Sequence, residues 1–471
     1  MDLLLALVAL SLWTFVFMLE KRRTIGWISP TCLFSLGLIV FYIVPSIYWI
    51  FRPWSSSFPP YFDGIWKVML SAIILGLPFL FYALQRRHKL NVLPIKQFML
   101  RARLSSNKIV WLFFILATVS VYFEIQLLLM GQQSRLGYHV VSLFGSPDLG
   151  YLLISNLLNI WPIFYLALIF FGGRKARILG VFFWMADGII CISTLQRAQM
   201  LNFLLYSFVA AQFLGYKFSF KKNILVVLSV VFILVVVGNA PKFARYSVES
   251  KDIQRLNFKE VVNVLYDSTV NIMDDSNVVM RYSDKTMERL YEARSASAVM
   301  ANVPDKINYQ NGATFIHAAY AFIPRYFWPE KPSLREIHYF TTEVMPDDEG
   351  VNPLGTIGEF YINFGFLSVF LGGLVSLWIC LFLEKRFVRY YILNKHNKLR
   401  ALIVVYPISA IWIFGSSYNF TQRISEGLRL SMLFFALCLM FYFLDLHNKR
   451  KSLNKAQQVH RSFRKLNSPS K

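Results

Sequence analysis

Four arginines and one lysine lie near places where apolar stretches of this sequence meet polar ones: Arg197, Arg294, Arg325, Arg423 and Lys331. Arginine stays charged in any protein environment, and its planar guanidinium group forms paired hydrogen bonds with phosphate oxygens. Several such cations facing one cavity would suit a pyrophosphate. Taken singly, Arg197 also fits an interfacial side chain at the end of a span, and Arg294 also fits a partly buried structural residue.

One acidic residue, Glu359, falls in the first turns of the apolar stretch GTIGEFYINFGFLSVFLGG. An ionisable side chain costs about 2.5–3.5 kcal/mol at a bilayer centre and less near its edge, so it is usually paired or functional. Asp187 lies within another apolar stretch and could be an internal partner for an arginine. The aromatic residues beside Arg325, including Trp328, could stack on sugar rings or belong to an interfacial aromatic belt.

The composition predicts that helices in a membrane position these residues. The chain has 471 residues, of which 56% are hydrophobic and 16% charged, and its mean hydropathy is +0.47. Lipid leaves no partner for unpaired backbone groups, so the spans should be helical. We predict an all-α polytopic protein with about eleven spans: 2–19, 28–50, 65–84, 109–130, 151–171, 178–194, 201–216, 224–240, 356–383, 401–418 and 428–444.

The positive charges predict the orientation. The segments on one side of the eleven spans hold 30 of the 49 Lys and Arg residues, whereas the short segments on the other side hold one each. This pattern places the N-terminus outside and the C-terminus in the cytoplasm. The net charge of +23 is therefore mainly a topology signal, and the basic tail is interpreted as a lipid-surface anchor rather than a nucleic-acid binder.

Four regions follow from this pattern: spans one to eight in 1–240, a large extracytoplasmic loop in 241–355, spans nine to eleven in 356–444 and a basic cytoplasmic tail in 445–471. The loop is too long to be a simple connection and should be partly helical. Its helical periodicity places one set of residues on a single face: Met287, Leu290, Tyr291, Arg294, Ala298 and Ala301. The stretch that follows is predicted to be a helix or re-entrant segment broken at Pro324.

Several function classes lose support from the sequence. It contains no phosphate-binding glycine loop, no HExxH and no GxSxG. Its four cysteines all lie in apolar segments, which predicts neither disulfides nor a cysteine-based metal site. The histidines on the predicted outer side are too scattered to indicate a metal site, so we expect no metal and no cofactor.

Two stretches resemble the Wzy-type O-antigen polymerases, which are bacterial oligosaccharide repeat-unit polymerases. Similar residues cover about 190–380, with Arg294 in RLYEARSAS and Gly312 in NYQNGATF upstream of the two main motifs. The match at Arg197 is looser, because Gln196 and Ala198 replace the usual Ser and Gly. The two motifs are Ile323, Pro324, Arg325, Trp328, Pro329, Lys331 and Pro332, then Gly358, Glu359, Tyr361, Asn363, Phe364 and Gly365.

The resemblance implies a class-C glycosyltransferase (GT-C) polymerase in the bacterial inner membrane. Such an enzyme transfers a growing glycan from undecaprenyl pyrophosphate to a new lipid-linked repeat unit on the outer leaflet, without a metal or nucleotide sugar. A flippase and a chain-length regulator are the partners implied. Glu359 would be the general base or a positioning residue, or would form an ion pair that holds Arg325. Arg325, Arg197 and Arg294 would bind the pyrophosphate with support from Lys331, and Trp328 and Tyr361 would contact sugar.

Three alternatives remain open. An O-antigen ligase would have the same shape and move finished glycan to a lipid acceptor. A transporter of lipid-linked sugar would place its charged groups along a path near the midplane and often has paired broken helices. A non-catalytic member of a polysaccharide complex would tolerate Arg325→Ala and Glu359→Gln.

Overall fold

The fold is almost entirely helical in the part of the chain that the structure describes. The computed structural model describes residues 1–23, 29–51, 64–85, 107–129, 164–166, 168–169, 173–193, 203, 293–321, 323, 328, 330, 354–392 and 420–421. Its helices are α1 (Asp2–Arg23), α2 (Pro30–Leu38), α3 (Val44–Phe51), α4 (Ile65–Gln85), α5 (Asn107–Leu129), α6 (Arg174–Ser193), α7 (Ala293–Asn302), α8 (Ala313–Ala321) and α9 (Gly355–Ile392).

Within these residues, four helical stretches are long and apolar enough to cross a membrane: Asp2–Lys21, Pro30–Phe51, Ile65–Gln85 and Gly355–Lys385. They coincide with the predicted spans 2–19, 28–50, 65–84 and 356–383. Helices α5 and α6 coincide with the predictions 109–130 and 178–194. The remaining five predicted spans lie wholly or almost wholly outside the described residues. The chain is thus an all-α membrane protein.

Helices α2 and α3 form one span through a π-helical turn, Ile39–Ile43. The local sequence explains where this span begins. Ser29 is the N-cap, its hydroxyl accepts a hydrogen bond from the Cys32 amide at 3.2 Å, and Pro30 follows at the first helical position. Proline is well placed there because the first amides of a helix have no intrahelical acceptor.

A common core joins α1, α2, α4 and α9. The Trp13 indole N–H donates to the Ala72 carbonyl at 2.9 Å, which ties α1 to α4. The Phe34 and Phe79 rings stack with centroids 5.2 Å apart, which ties α2 to α4. These large aromatic side chains fill the space between helices and set the spacing of the bundle.

Helix α9 is not one continuous rod. Phe364 (φ −146°, ψ 30°) and Gly365 (φ 63°, ψ −145°) leave the helical conformation. Beyond them, Ser368 donates to the Phe360 carbonyl, and a Cβ atom built on Gly372 would lie 2.5 Å from the Phe360 ring. Phe360 and Gly372 would be about 18 Å apart in a straight helix. The segment 355–363 therefore doubles back against 366–392, an arrangement we call the fold-back.

The fold-back is a feature that the sequence did not predict. The predicted span 356–383 is present as an apolar helical stretch, but its first third is a separate half-helix. A broken segment was predicted at Pro324, which lies outside the described residues, whereas the structure has a break forty residues later, at Phe364 and Gly365. The reason is local, because a glycine tolerates the positive φ that a sharp reversal requires.

Helix α7 packs into the bundle beside α4 and α9. The backbone of Ser297 lies so close to Gly64 that any side chain at that glycine would clash. Lys67 of α4 donates to the carbonyls of Met300 (2.7 Å) and Val303 (3.1 Å), so a cation caps the carboxyl end of α7. Burial in α7 extends beyond the face predicted from the periodicity, since seven of its ten residues are buried: Ala293, Ser295, Ala296, Ser297, Ala298, Val299 and Met300.

Replacement of Gly373 by alanine tests the close packing of α9 on α4. Its Cβ would lie 2.6 Å from the Leu75 carbonyl oxygen, so the backbone of one helix has to move. We expect Gly373→Ala to lower the free energy of unfolding by about 1–3 kcal/mol, measured as a lower melting temperature of the purified protein. Gly173→Ala is the matched control, since its Cβ meets nothing within 4 Å. Equal melting temperatures for the two variants would contradict this packing.

Candidate functional site

The site is built around the carbonyl groups that the break in α9 leaves without helical partners. Segment 308–312 supplies the missing donors. The Gln310 amide donates to the Ile362 carbonyl at 2.9 Å, and the Asn311 amide donates to the Asn363 carbonyl at 3.2 Å. Unpaired backbone groups cost several kcal/mol in lipid, so these two bonds bind the segment firmly to the fold-back.

Asn363 connects three parts of the site through its side chain. Its carbonyl oxygen accepts from the Gly312 amide at 2.9 Å. Its amide nitrogen donates to the Thr314 hydroxyl at 2.7 Å and to the Glu359 carbonyl at 2.6 Å. Asn363 is fully buried. One residue thus joins segment 308–312, the start of α8 and the half-helix 355–363.

Two glycines permit the close approach of these parts. Gly365 has a φ of +63°, and a Cβ there would lie 3.1 Å from the Tyr309 hydroxyl. Gly312 has a φ of +89° and lies under the Phe364 ring, which would be 3.6 Å from a Cβ. A side chain at either position would be strained whatever the space around it.

The carboxylate of Glu359 is fully buried inside this cluster. It accepts hydrogen bonds from the Thr421 amide at 3.0 Å and from the Thr421 hydroxyl. The Thr421 hydroxyl also lies 3.1 Å from the Thr314 carbonyl oxygen of α8. Glu359 therefore fastens the half-helix to α8 and to residues 420–421, a position that favours a positioning role over contact with substrate.

Tyr361 has no open face for a sugar. Its ring is 4% exposed and packs edge-on against Phe366 at 5.1 Å, with Tyr309 at 6.5 Å. The Lys67 ammonium lies 5.8 Å from the centre of the same ring. This burial argues against the sugar-binding role predicted for Tyr361, because its aromatic surface is used by neighbours within the protein.

Other predicted site residues are only partly placed. Arg294 is the second residue of α7 and is half-buried. Trp328 is 39% exposed, and its ring contacts Tyr320 edge-on at 5.5 Å. The predicted residues Arg197, Arg325 and Lys331, with Arg423, lie outside the described residues, so the convergence of the arginines on one pyrophosphate stays a prediction.

Sequence reasoning missed residues that the structure brings into the site. Thr314 and Thr421 carried no signal, because a lone threonine is common everywhere in a chain. Lys67 could have been noticed as a charge within the first turn of a predicted span. Asp187 accepts a hydrogen bond from the Tyr165 hydroxyl at 2.7 Å, and its pairing with an arginine stays a prediction. Over the described ranges, no three His, Cys, Asp or Glu side chains are grouped so as to hold a metal ion.

The comparison with protein families finds similarity over the part of the chain that forms this site. Residues 202–420 match a family described as a domain of unknown function, DUF8712. The match includes α7, segment 308–312, α8 and the fold-back, while α1 to α6 precede it. No solved structure matches the chain. The fold and site thus define an all-α membrane protein with a broken helix inside a region similar to DUF8712.

Substitution of Asn363 by aspartate should break the hydrogen bonds that hold the parts of the site together. The change keeps the size of the side chain and its acceptor for Gly312, but it removes both N–H donors and places a charge beside the Glu359 carbonyl. A buried group left unsatisfied costs about 1–3 kcal/mol, and a charge costs more. We expect a marked loss of thermal stability for Asn363→Asp in purified protein. Asn308→Asp, at an exposed position in the adjacent segment, serves as control and should melt like the natural protein.

Proposed function

We propose that this protein is a membrane glycosyltransferase that polymerises undecaprenyl-pyrophosphate-linked oligosaccharide repeat units into a surface polysaccharide. One observation carries the proposal. The stretches NYQNGATF and GEFYINFG, which resemble polymerase motifs, are hydrogen-bonded to each other around the break in α9. Two motifs separated by about fifty residues that meet in one buried cluster are more consistent with a functional site than with a chance similarity of sequence.

The proposed reaction needs no input beyond the two lipid-linked substrates. The acceptor hydroxyl oxygen bonds to the anomeric carbon of the donor glycan, and the bond between that carbon and the pyrophosphate oxygen breaks. The pyrophosphate leaves with the electron pair, and the hydroxyl proton passes to a base. Fixed cations can stabilise the developing negative charge without reorganising, which is the role we propose for Arg325, Arg197, Arg294 and Lys331.

We assign Glu359 a positioning role in this proposal. A base must come within hydrogen-bonding reach of the hydroxyl that it deprotonates. The Glu359 carboxylate is fully buried and is held by Thr421. It therefore acts through the half-helix and residues 420–421, which it fixes together, while the base is another group.

A transporter of lipid-linked sugar is the second candidate, and the broken helix favours it. Discontinuous membrane helices form the substrate sites of many secondary transporters. A transporter would move the intact lipid-linked substrate and would not elongate it. Elongation of purified lipid-linked repeat units by the purified protein separates the two functions directly.

Deletion of the gene, with surface glycan resolved by length on a gel, tests the proposed function in the cell. Loss of the long ladder with single repeat units retained on the anchor is the result we expect of a polymerase. Loss of both, with lipid-linked glycan accumulating, would indicate a ligase or a transport step and would overturn the proposal.

Arg325→Ala and Arg325→Lys should both lose most of the long polymer in the deleted strain. Lysine keeps the charge but lacks the planar fork that binds two phosphate oxygens at once. Protein amount in the membrane fraction is measured alongside. Arg174→Lys, at an exposed position at the start of α6, is the control and should restore the full ladder. Full-length polymer from either Arg325 variant at normal protein level would remove this residue from the site.

Glu359→Gln separates positioning from base catalysis. The glutamine oxygen still accepts from the Thr421 amide, so we expect partial polymer formation together with a lower melting temperature. Thr421→Val should cause a similar loss, and the double variant should lose little more, because both changes break one interaction. If Glu359 were the catalytic base, Glu359→Gln would abolish polymer formation at an unchanged melting temperature. Thr421→Val would then leave polymer formation intact.

A further inference from the structure

The half-helix 355–363 begins inside the protein. Leu354 and Ile357 are fully buried, and Thr356 is 1% exposed. The first amides of any helix have no intrahelical acceptor, so a helix that starts at a buried position needs partners from elsewhere. For the amides of Thr356 and Ile357, the structure shows no acceptor among its described residues. Among the described residues, this buried helix start therefore offers two amide donors without acceptors.

The side chain of Thr356 adds a second, independent observation. Its hydroxyl is buried and has no hydrogen-bond partner within the described part of the chain. The Cα–Cβ bonds of a helix tilt toward its N-terminus, so the Thr356 side chain, in the first turn, lies at the helix start beside these amides. Buried polar groups are normally hydrogen-bonded, so this hydroxyl is available for a ligand. A ligand that accepts several hydrogen bonds would satisfy all three donors.

The local charges favour an anion. The N-terminus of a helix carries about half a positive charge, and phosphate groups bind there through the amides. Helix α7 packs against this start, since a Cβ on Gly358 would lie 3.2 Å from the Ala296 side chain. Arg294 precedes Ala296 by two residues on the same helix and is half-buried. Glu359, in the next turn, is held by Thr421 and is not directed at the helix start by any bond seen here.

We propose that the start of the half-helix, with the Thr356 hydroxyl and the amides of Thr356 and Ile357, binds a phosphate group. This inference rests on the proposed function for the identity of its ligand, which is then the pyrophosphate of the lipid-linked substrate. The chemistry itself fits a phosphate from either source, a lipid headgroup or a free ion in solution. In the polymerase, the site would hold the leaving group while the arginines stabilise its charge.

Binding to the full-length protein in lipid nanodiscs tests the site, with two probes: inorganic pyrophosphate by titration calorimetry, and undecaprenyl pyrophosphate by its effect on the melting temperature. Thr356→Val keeps the shape of the side chain and removes only the hydroxyl. Loss of a hydrogen bond to a charged group should weaken binding roughly 10- to 100-fold. Thr356→Ser keeps a hydroxyl and should bind within about threefold of the natural protein.

Thr31→Val is the matched control. Thr31 is also 1% exposed, near the start of α2, with a hydroxyl that has no partner in the described residues. Both valine variants remove an unsatisfied buried hydroxyl, so neither should unfold the protein without ligand. We expect Thr31→Val to bind like the natural protein. Equal weakening by both valine variants would show a general effect on the bundle and overturn the site.

The two probes separate the sources of the phosphate. Weakened binding of both by Thr356→Val supports a site that takes free and lipid-linked phosphate, and weakened binding of the lipid alone supports a headgroup site. The inference is overturned if neither probe binds to the natural protein. It is also overturned if Thr356→Val binds the probes as tightly as the natural protein does. A normal glycan ladder after gene deletion would instead overturn the proposed function while leaving a measured phosphate site in place.

Discussion

The structure depends on one constraint: backbone carbonyl groups at a helix break within a membrane protein must find donors. The break at Phe364 and Gly365 releases the carbonyls of Ile362 and Asn363. Both residues are fully buried, so the donors have to come from protein. Segment 308–312 supplies them, and this requirement brings a polar stretch from outside the spans into the bundle. The fold-back and segment 308–312 are therefore one structural unit.

Small residues allow that unit to fit. Gly358 lets α7 touch the half-helix, Gly372 accepts the Phe360 ring, and Gly373 lies against the backbone of α4. In a close-packed interior, even a single added methyl group disturbs the packing. Lys67 completes the arrangement by capping α7 from α4. Within the region predicted to be a large external loop, α7 is thus packed into the helix bundle.

This packing gives the site two distinct parts. On one side, Glu359, Asn363 and Thr421 form a buried, mutually satisfied cluster, whose stability comes from hydrogen bonds rather than from exposure to a substrate. On the other side, the start of the half-helix keeps donors that its described neighbours do not use, including the Thr356 hydroxyl. Satisfied polar groups suit positioning, whereas unsatisfied ones suit binding. The proposed glycosyl transfer uses both, since a pyrophosphate leaving group must be held while the acceptor is aligned.

The sequence alone determined the membrane class and the positions of four spans. It also identified the stretch around Glu359 and Asn363 as part of the candidate site. Hydropathy and charge placement add up over many residues, so one unusual residue does not disturb them. Tertiary structure alone decided that the ninth predicted span folds back, that Tyr361 is buried, and that Thr314 and Thr421 meet Glu359. The chain reversal in α9 depends on the backbone of two residues, and a hydropathy average over a whole span does not detect them. The hydrogen bonds of Thr421 to Glu359 join positions 62 residues apart, and no local pattern encodes such a contact.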